Sequence, residues 1–82
     1  NKIIEYNGSF WHADPRLFSN GDWHNGCKKI VNDIWAYDKT KIDRLTSLGY
    51  HVKIVWSLDT KNNKKELLNQ CKEFINARNS QI

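Results

Sequence analysis

The residues best suited to do chemistry crowd into one stretch near the start of the chain, Ile3-Ile4-Glu5-Tyr6-Asn7-Gly8-Ser9-Phe10-Trp11-His12. An apolar strand fixes the carboxylate of Glu5, Gly8 lets the backbone turn sharply, and Trp11 and His12 project from the strand's end, where a substrate can be met. A carboxylate, two aromatics and an imidazole in that order suit the cutting of nucleic acid. The plainer alternative makes Phe10 and Trp11 core aromatics and His12 their satisfied neighbour.

A second carboxylate stands where periodicity asks for Leu. Ile34, Asp38, Ile42 and Leu45 follow the spacing of one helix face. A charge on that stripe must be paired, metal-bound or protonated, because burying it alone costs several kcal/mol. Otherwise the helix rolls and Asp38 reaches solvent beside Lys41. Metal-ligand spacing is thin elsewhere: His24-Asn25-Gly26-Cys27 is a single H-x2-C without a second pair. The two cysteines, Cys27 and Cys71, make no disulfide framework, and Cys71 reads as a small apolar residue on a helix.

The elements that must position these groups follow from patterning. Lys2 to Tyr6 has apolar residues on both faces, Ile3 with Glu5 and Ile4 with Tyr6, as in a central strand covered on both sides. Ala13 to about Ile30 collects Pro15, Asn20-Gly21 and Asn25-Gly26, the chemistry of a long loop with room for a short helical turn. A helix is predicted from about Val31 to Leu48, with Gly49 as its left-handed cap. Tyr50 to Trp56 alternates as a second strand. Asn63-x-x-Glu66 reads as a capping box opening a last amphipathic helix through Leu67, Leu68, Cys71, Phe74, Ile75 and about Arg78. Strands joined through a helix pair in parallel. The expected fold class is therefore α/β, a small mixed sheet containing residues 3–6 and 51–56, flanked by helices near 31–48 and 64–78.

Eighty-two residues make one domain, near the size at which a single core barely suffices. Thirteen Lys and Arg against nine Asp and Glu leave a net charge of +4, which leans toward a polyanionic partner. Four Trp, three Tyr and three Phe are a heavy aromatic load for a chain without Met, more than a core of this size needs. No apolar run approaches membrane-spanning length and no signal peptide is visible, so no membrane partner is expected and the chain reads as soluble and intracellular. The lack of an initiator Met, and a start almost inside a strand, read as a fragment.

Three segments together resemble a family: Ile4-Glu5-Tyr6-Asn7-Gly8-Ser9-Phe10-Trp11-His12, then Ile34-Trp35-Ala36-Tyr37-Asp38-Lys39, then Leu45-Thr46-Ser47-Leu48-Gly49-Tyr50-His51-Val52-Lys53-Ile54-Val55-Trp56. They look like the very short patch repair endonucleases, and more like the phage homing endonucleases of the EDxHD type that share that core. The resemblance spans roughly residues 3 to 58. It implies a divergent PD-(D/E)xK-like nuclease fold cutting double-stranded DNA with Mg²⁺ in the cytoplasm of a bacterial or phage-infected cell. On the matching positions His12 is the active-site histidine and Asp38 the second-half aspartate. Glu5 stands where wider relatives of the fold carry the Glu of an E-x-K strand, with Asn7 in the place of the Lys. The resemblance also implies that residues 1–82 lack an N-terminal strand and helix, with a principal metal-binding Asp and a leading Glu lying upstream. Positions that hold structural zinc in the repair enzymes correspond here to Ser9, Asp14, Arg16 and Leu58, which recreate no zinc site. No structural zinc is expected.

The chemistry can be argued beside the resemblance. Phosphodiester hydrolysis needs a cation for the developing charge and a group for the proton of the attacking water. Glu5, with the upstream Asp that the resemblance implies, fits the first demand as metal ligand; His12 meets the second as general base, or else holds and protonates a phosphate-side group; Asp38 orients His12 or a metal-bound water. Phe10 and Trp11 can stack on or wedge between bases, or pack beneath the loop. Arg16, Lys28, Lys29, Lys39, Lys41 and Arg44 are candidates for phosphate contact, each with a solvated face as its alternative. Asn7 joins Phe10, Trp11, Arg16 and Lys39 as a DNA-contacting residue. Base-specific readout is not visible; a homing enzyme needs further DNA-binding modules to define a long site, and these are expected outside the chain, with a homo-oligomer as a further possible partner. The competing reading is a noncatalytic nucleic-acid-binding module. A plain protein-interaction domain leaves Glu5, His12 and Asp38 unexplained together.

Overall fold

The computed structural model describes residues 1–77. The expected end of the last helix at Arg78 lies outside them. The β-branched and aromatic runs form β1 (Lys2–Asn7) and, much later, β4 (His51–Trp56). Between them come a minimal antiparallel ribbon, β2 (Trp23–His24) with β3 (Lys29–Ile30), and the long helix α1 (Val31–Ser47). Two helices follow β4: α2 (Ser57–Asn62) and α3 (Lys64–Asn76). β1 and β4 pair in parallel, from Lys2 opposite His51 to Asn7 opposite Trp56, with α1 as the crossover. The molecule is a small mixed α/β domain.

Strand alternation and register put Glu5 beside Ile54 on the face that α1 covers, where Ile42 of α1 lines the same recess. α1 ends where the apolar stripe ends. Gly49, at φ 97°, donates its N–H to Thr46 O at 3.0 Å, and Tyr50 N–H reaches Leu45 O at 3.1 Å, the paired bonds of a Schellman stop. The best-packed region is not on the sheet. Ala13, Val31 and Ile34 are buried together, with Phe18, Cys27 and Trp35 around them, so the segment after β1 is anchored on the first turns of α1. At the far end, the Lys2 ammonium caps the C-terminus of α3 through the carbonyls of Phe74 at 2.7 Å, Ile75 at 3.0 Å and Ala77.

Several expectations need correction. The single mixed sheet is instead, among the described residues, two separate two-stranded sheets, one parallel and one antiparallel. The long loop contains the β2–β3 ribbon, closed by Lys28 N–H to His24 O at 2.8 Å with Lys28 at φ 58°. Among the described residues β1 pairs with β4 alone and is no central strand; its second face leaves Ile4 40% and Tyr6 60% exposed. α2 was not anticipated. The capping box does not form, because Asn63 also ends α2 and its N–H is bonded to Asp59 O at 2.8 Å; Glu66 turns to Gln70 instead. No helix among the described residues is long and apolar enough to cross a membrane.

Candidate active site

Beyond β1 the chain coils tightly instead of continuing. His12 N–H bonds to Gly8 O at 3.0 Å, Ala13 N–H to Phe10 O at 3.2 Å, and Asp14 N–H to Ser9 O at 2.8 Å. Ala13, fully buried, takes a left-handed φ of 52°, and its carbonyl receives the indole N–H of Trp35 at 2.7 Å. A non-glycine residue held there needs surroundings that over-determine it. This anchoring turns His12 toward α1.

There His12 Nδ1 lies 2.8 Å from Asp38 Oδ2. The carboxylate can only accept, so Nδ1–H donates, and in the neutral imidazole this tautomer leaves the lone pair on Nε2. The side chains are 39% and 22% exposed, so the pair is open to solvent on one side. This is the arrangement of a general base with an orienting carboxylate. The oddity of a carboxylate on the apolar stripe of α1 is thereby answered: Asp38 is paired.

A second ion pair stands beside the first. Lys41 Nζ comes within 2.9 Å of Glu5 Oε1. Hydrogen bonding to Glu5, with its charge, raises the Lys41 ammonium above its ordinary pKa. Glu5, Asn7, His12, Asp38 and Lys41 line one recess with Ile42 and Ile54. It adjoins a larger cleft of about 270 Å³, walled mainly by Pro15, Trp35, Ile42, Ile54 and Trp56, with Lys39 at its edge. Trp35 and Trp56 carry no site signal in the sequence beyond their place beside Asp38 and at the end of β4.

Ser9, Asp14, Arg16 and Leu58, the positions matched to zinc sites of the repair enzymes, do come together, joined by hydrogen bonds. Ser9 Oγ donates to Asp14 Oδ2 at 3.0 Å and accepts from Leu58 N–H at 3.0 Å. Arg16 gives Asp14 its backbone N–H at 3.0 Å and two side-chain bonds at 3.1 and 2.7 Å, then turns its remaining fork onto Asp59 at 2.8 and 3.1 Å. The Arg16 hydrogen bond is the main reason that the Asp14 carboxyl is held below the usual range, against its own burial. Arg16 is thus tied into this knot and does not reach the recess. Lys39 lies along α1 against Asp43 at 2.8 Å.

Phe10 and Trp11 are 49% and 58% exposed. They meet edge to face at 4.9 Å, and Phe10 leans on the ring of His24 at 4.5 Å. His24 is fully buried, and both its nitrogens are committed: Nε2–H donates to Phe10 O at 2.6 Å and Nδ1 accepts from Cys27 N–H at 2.9 Å. In this arrangement neither His24 nitrogen is free to join Cys27 as a metal ligand. Gly26 is required beneath them, since a Cβ there would stand 2.8 Å from both Phe10 and Trp11 ring atoms.

The described residues contain no group of three His, Cys, Asp or Glu side chains that could hold a metal ion. Glu5, with Asn7 lining the same recess, belongs to the oxygen-bearing residue types that Mg²⁺ takes, supplemented by waters and substrate phosphate. No family model, curated protein or solved structure matches the chain.

Proposed function

We propose that this domain hydrolyses phosphodiester bonds in double-stranded DNA as a divalent-cation-dependent endonuclease, of the kind that serves as the catalytic domain of a homing enzyme. The observation that carries the reading is the His12–Asp38 pair, 2.8 Å apart, opening on a recess shared with Glu5 and Lys41. His12 Nε2 takes the proton of the attacking water. Asp38 holds the imidazole in the tautomer that leaves Nε2 free, and stabilises the imidazolium that forms. Glu5 and Asn7 are the residues that would hold Mg²⁺, which when bound neutralises charge on the phosphate. Phe10 and Trp11, exposed at the turn that carries His12, supply ring faces for bases. The net charge of +4 favours the polyanion.

A noncatalytic DNA-binding module is the second reading, favoured by one observation: the Glu5 carboxylate is already engaged by Lys41. The two separate in one assay, a duplex incubated with wild type and His12→Ala in Mg²⁺ and in EDTA. Cleavage in Mg²⁺ alone, lost in His12→Ala with binding retained, supports the enzyme. Metal-independent binding without cleavage supports the module.

A further inference from the structure

The structure sorts the cationic side chains that sequence offered as phosphate contacts. Arg16 is engaged by Asp14 and Asp59, and Lys39 by Asp43. Lys28, Lys29 and Arg44 are exposed on the ribbon and on α1. Lys41 differs from all of these, because it lines the recess that holds His12 and Asp38.

Its position follows from helix geometry. Lys41 lies three residues after Asp38, so both project from one face of α1. Asp38 meets the turn after β1, and Lys41 meets β1 itself at Glu5. The carboxylate of that pair is recessed, 22% exposed, while the Lys41 side chain is 58% exposed and comes to it from the solvent side. An ion pair this open contributes little to stability. It does fix the charge of the recess: Glu5, the carboxylate there that His12 does not hold, is neutralised by an ammonium on a flexible stem.

We propose that Lys41 is a working group of the site: it is the resting counter-ion of Glu5, and its ammonium passes to a phosphate oxygen of the DNA strand beside His12 when a divalent cation takes Glu5. This rests on the phosphodiesterase reading above. An ammonium 2.9 Å from Glu5 Oε1 repels a divalent cation brought to the same carboxylate, so the two cations compete. Once released, the ammonium stays tethered to α1 one turn from Asp38, within the recess where the phosphate must lie for His12 Nε2 to serve its attacking water.

The test uses Lys41→Met and Lys41→Arg with two readouts: Mn²⁺ affinity by calorimetry without DNA, and cleavage of a duplex in Mg²⁺. Lys41→Met should bind Mn²⁺ several-fold more tightly, because the competing cation is gone, yet cleave about ten-fold more slowly or worse. Lys41→Arg should recover part of the cleavage. Unchanged Mn²⁺ affinity in Lys41→Met would overturn the counter-ion role, and undiminished cleavage would overturn the phosphate role. If His12→Ala is inactive while Lys41→Met cleaves like wild type, the proposal for Lys41 fails and the phosphodiesterase reading stands. A wild type that does not cleave removes both.

Discussion

Two polar clusters hang on the same turn, Gly8 to Arg16, and they are built to opposite rules. In the knot of Ser9, Asp14, Arg16 and Asp59, Asp14 is 1% exposed and both its oxygens are bonded more than once. In the recess, His12 and Asp38 share one bond, and Glu5 and Lys41 share another. The side chains there are 22% to 58% exposed. A carboxylate buried and saturated in this way has no capacity left for a ligand, so its free energy goes into holding the turn. The recess keeps an imidazole nitrogen outside the His12–Asp38 bond and an ammonium held on a half-exposed stem. The difference teaches that charge alone does not mark a site; unspent bonding capacity does.

The largest expected effect separates the clusters by reactivity. His12→Ala should lower cleavage by about 10²–10⁴. Its unfolding free energy should stay within roughly 1 kcal/mol of wild type, because the side chain is 39% exposed and makes one hydrogen bond. The converse variant is Asp14→Ala. It should lose about 2–3 kcal/mol by urea unfolding, since the Ser9 hydroxyl and the Arg16 N–H lose a buried acceptor, while the half-exposed guanidinium is rehydrated and adds little. At low temperature, where it stays folded, it should still cleave. An Asp14→Ala protein that is fully stable but inactive would invert the comparison.

Acid sharpens the same contrast. Arg16 holds the Asp14 carboxyl below its unfolded value, so the stability this contributes is present above the ordinary Asp range and is lost as pH falls through the folded-state pKa. Wild type should therefore lose stability below about pH 4, and Asp14→Asn should show a shallower acid decline. A smaller effect tests the aromatic lid over His24. Gly26→Ala should cost about 1–3 kcal/mol by overpacking against Phe10 and Trp11. A neutral result would mean that the lid yields freely and that the exposed rings are mobile.

The parts legible in sequence are those that repeat. β1, α1 and β4 announced themselves by period, and the same period exposed Asp38 as a carboxylate on an inward face that needed a partner. Gly49 gave the end of α1 through the φ that only glycine takes easily. The ribbon of β2 and β3 was hidden because two residues per strand cannot show alternation, and α2, with six residues, is too short to show a stripe. The knot was hidden for another reason: Arg16 and Asp59 are 43 residues apart, and nothing local reports that they meet. The link of Lys41 to Glu5 had a partial signal in the spacing from Asp38, but its partner depended on the register of β1 against α1.

The central claim is that His12 and Asp38 act as one unit on a phosphodiester. A double-mutant cycle on cleavage in Mg²⁺, with His12→Ala, Asp38→Ala and the double variant, tests it most directly. The account predicts that each single change lowers the rate steeply and that the double variant is no slower than His12→Ala, because Asp38 works only through His12. Losses that multiply in the double variant, or an Asp38→Ala protein that cleaves like wild type, would contradict it.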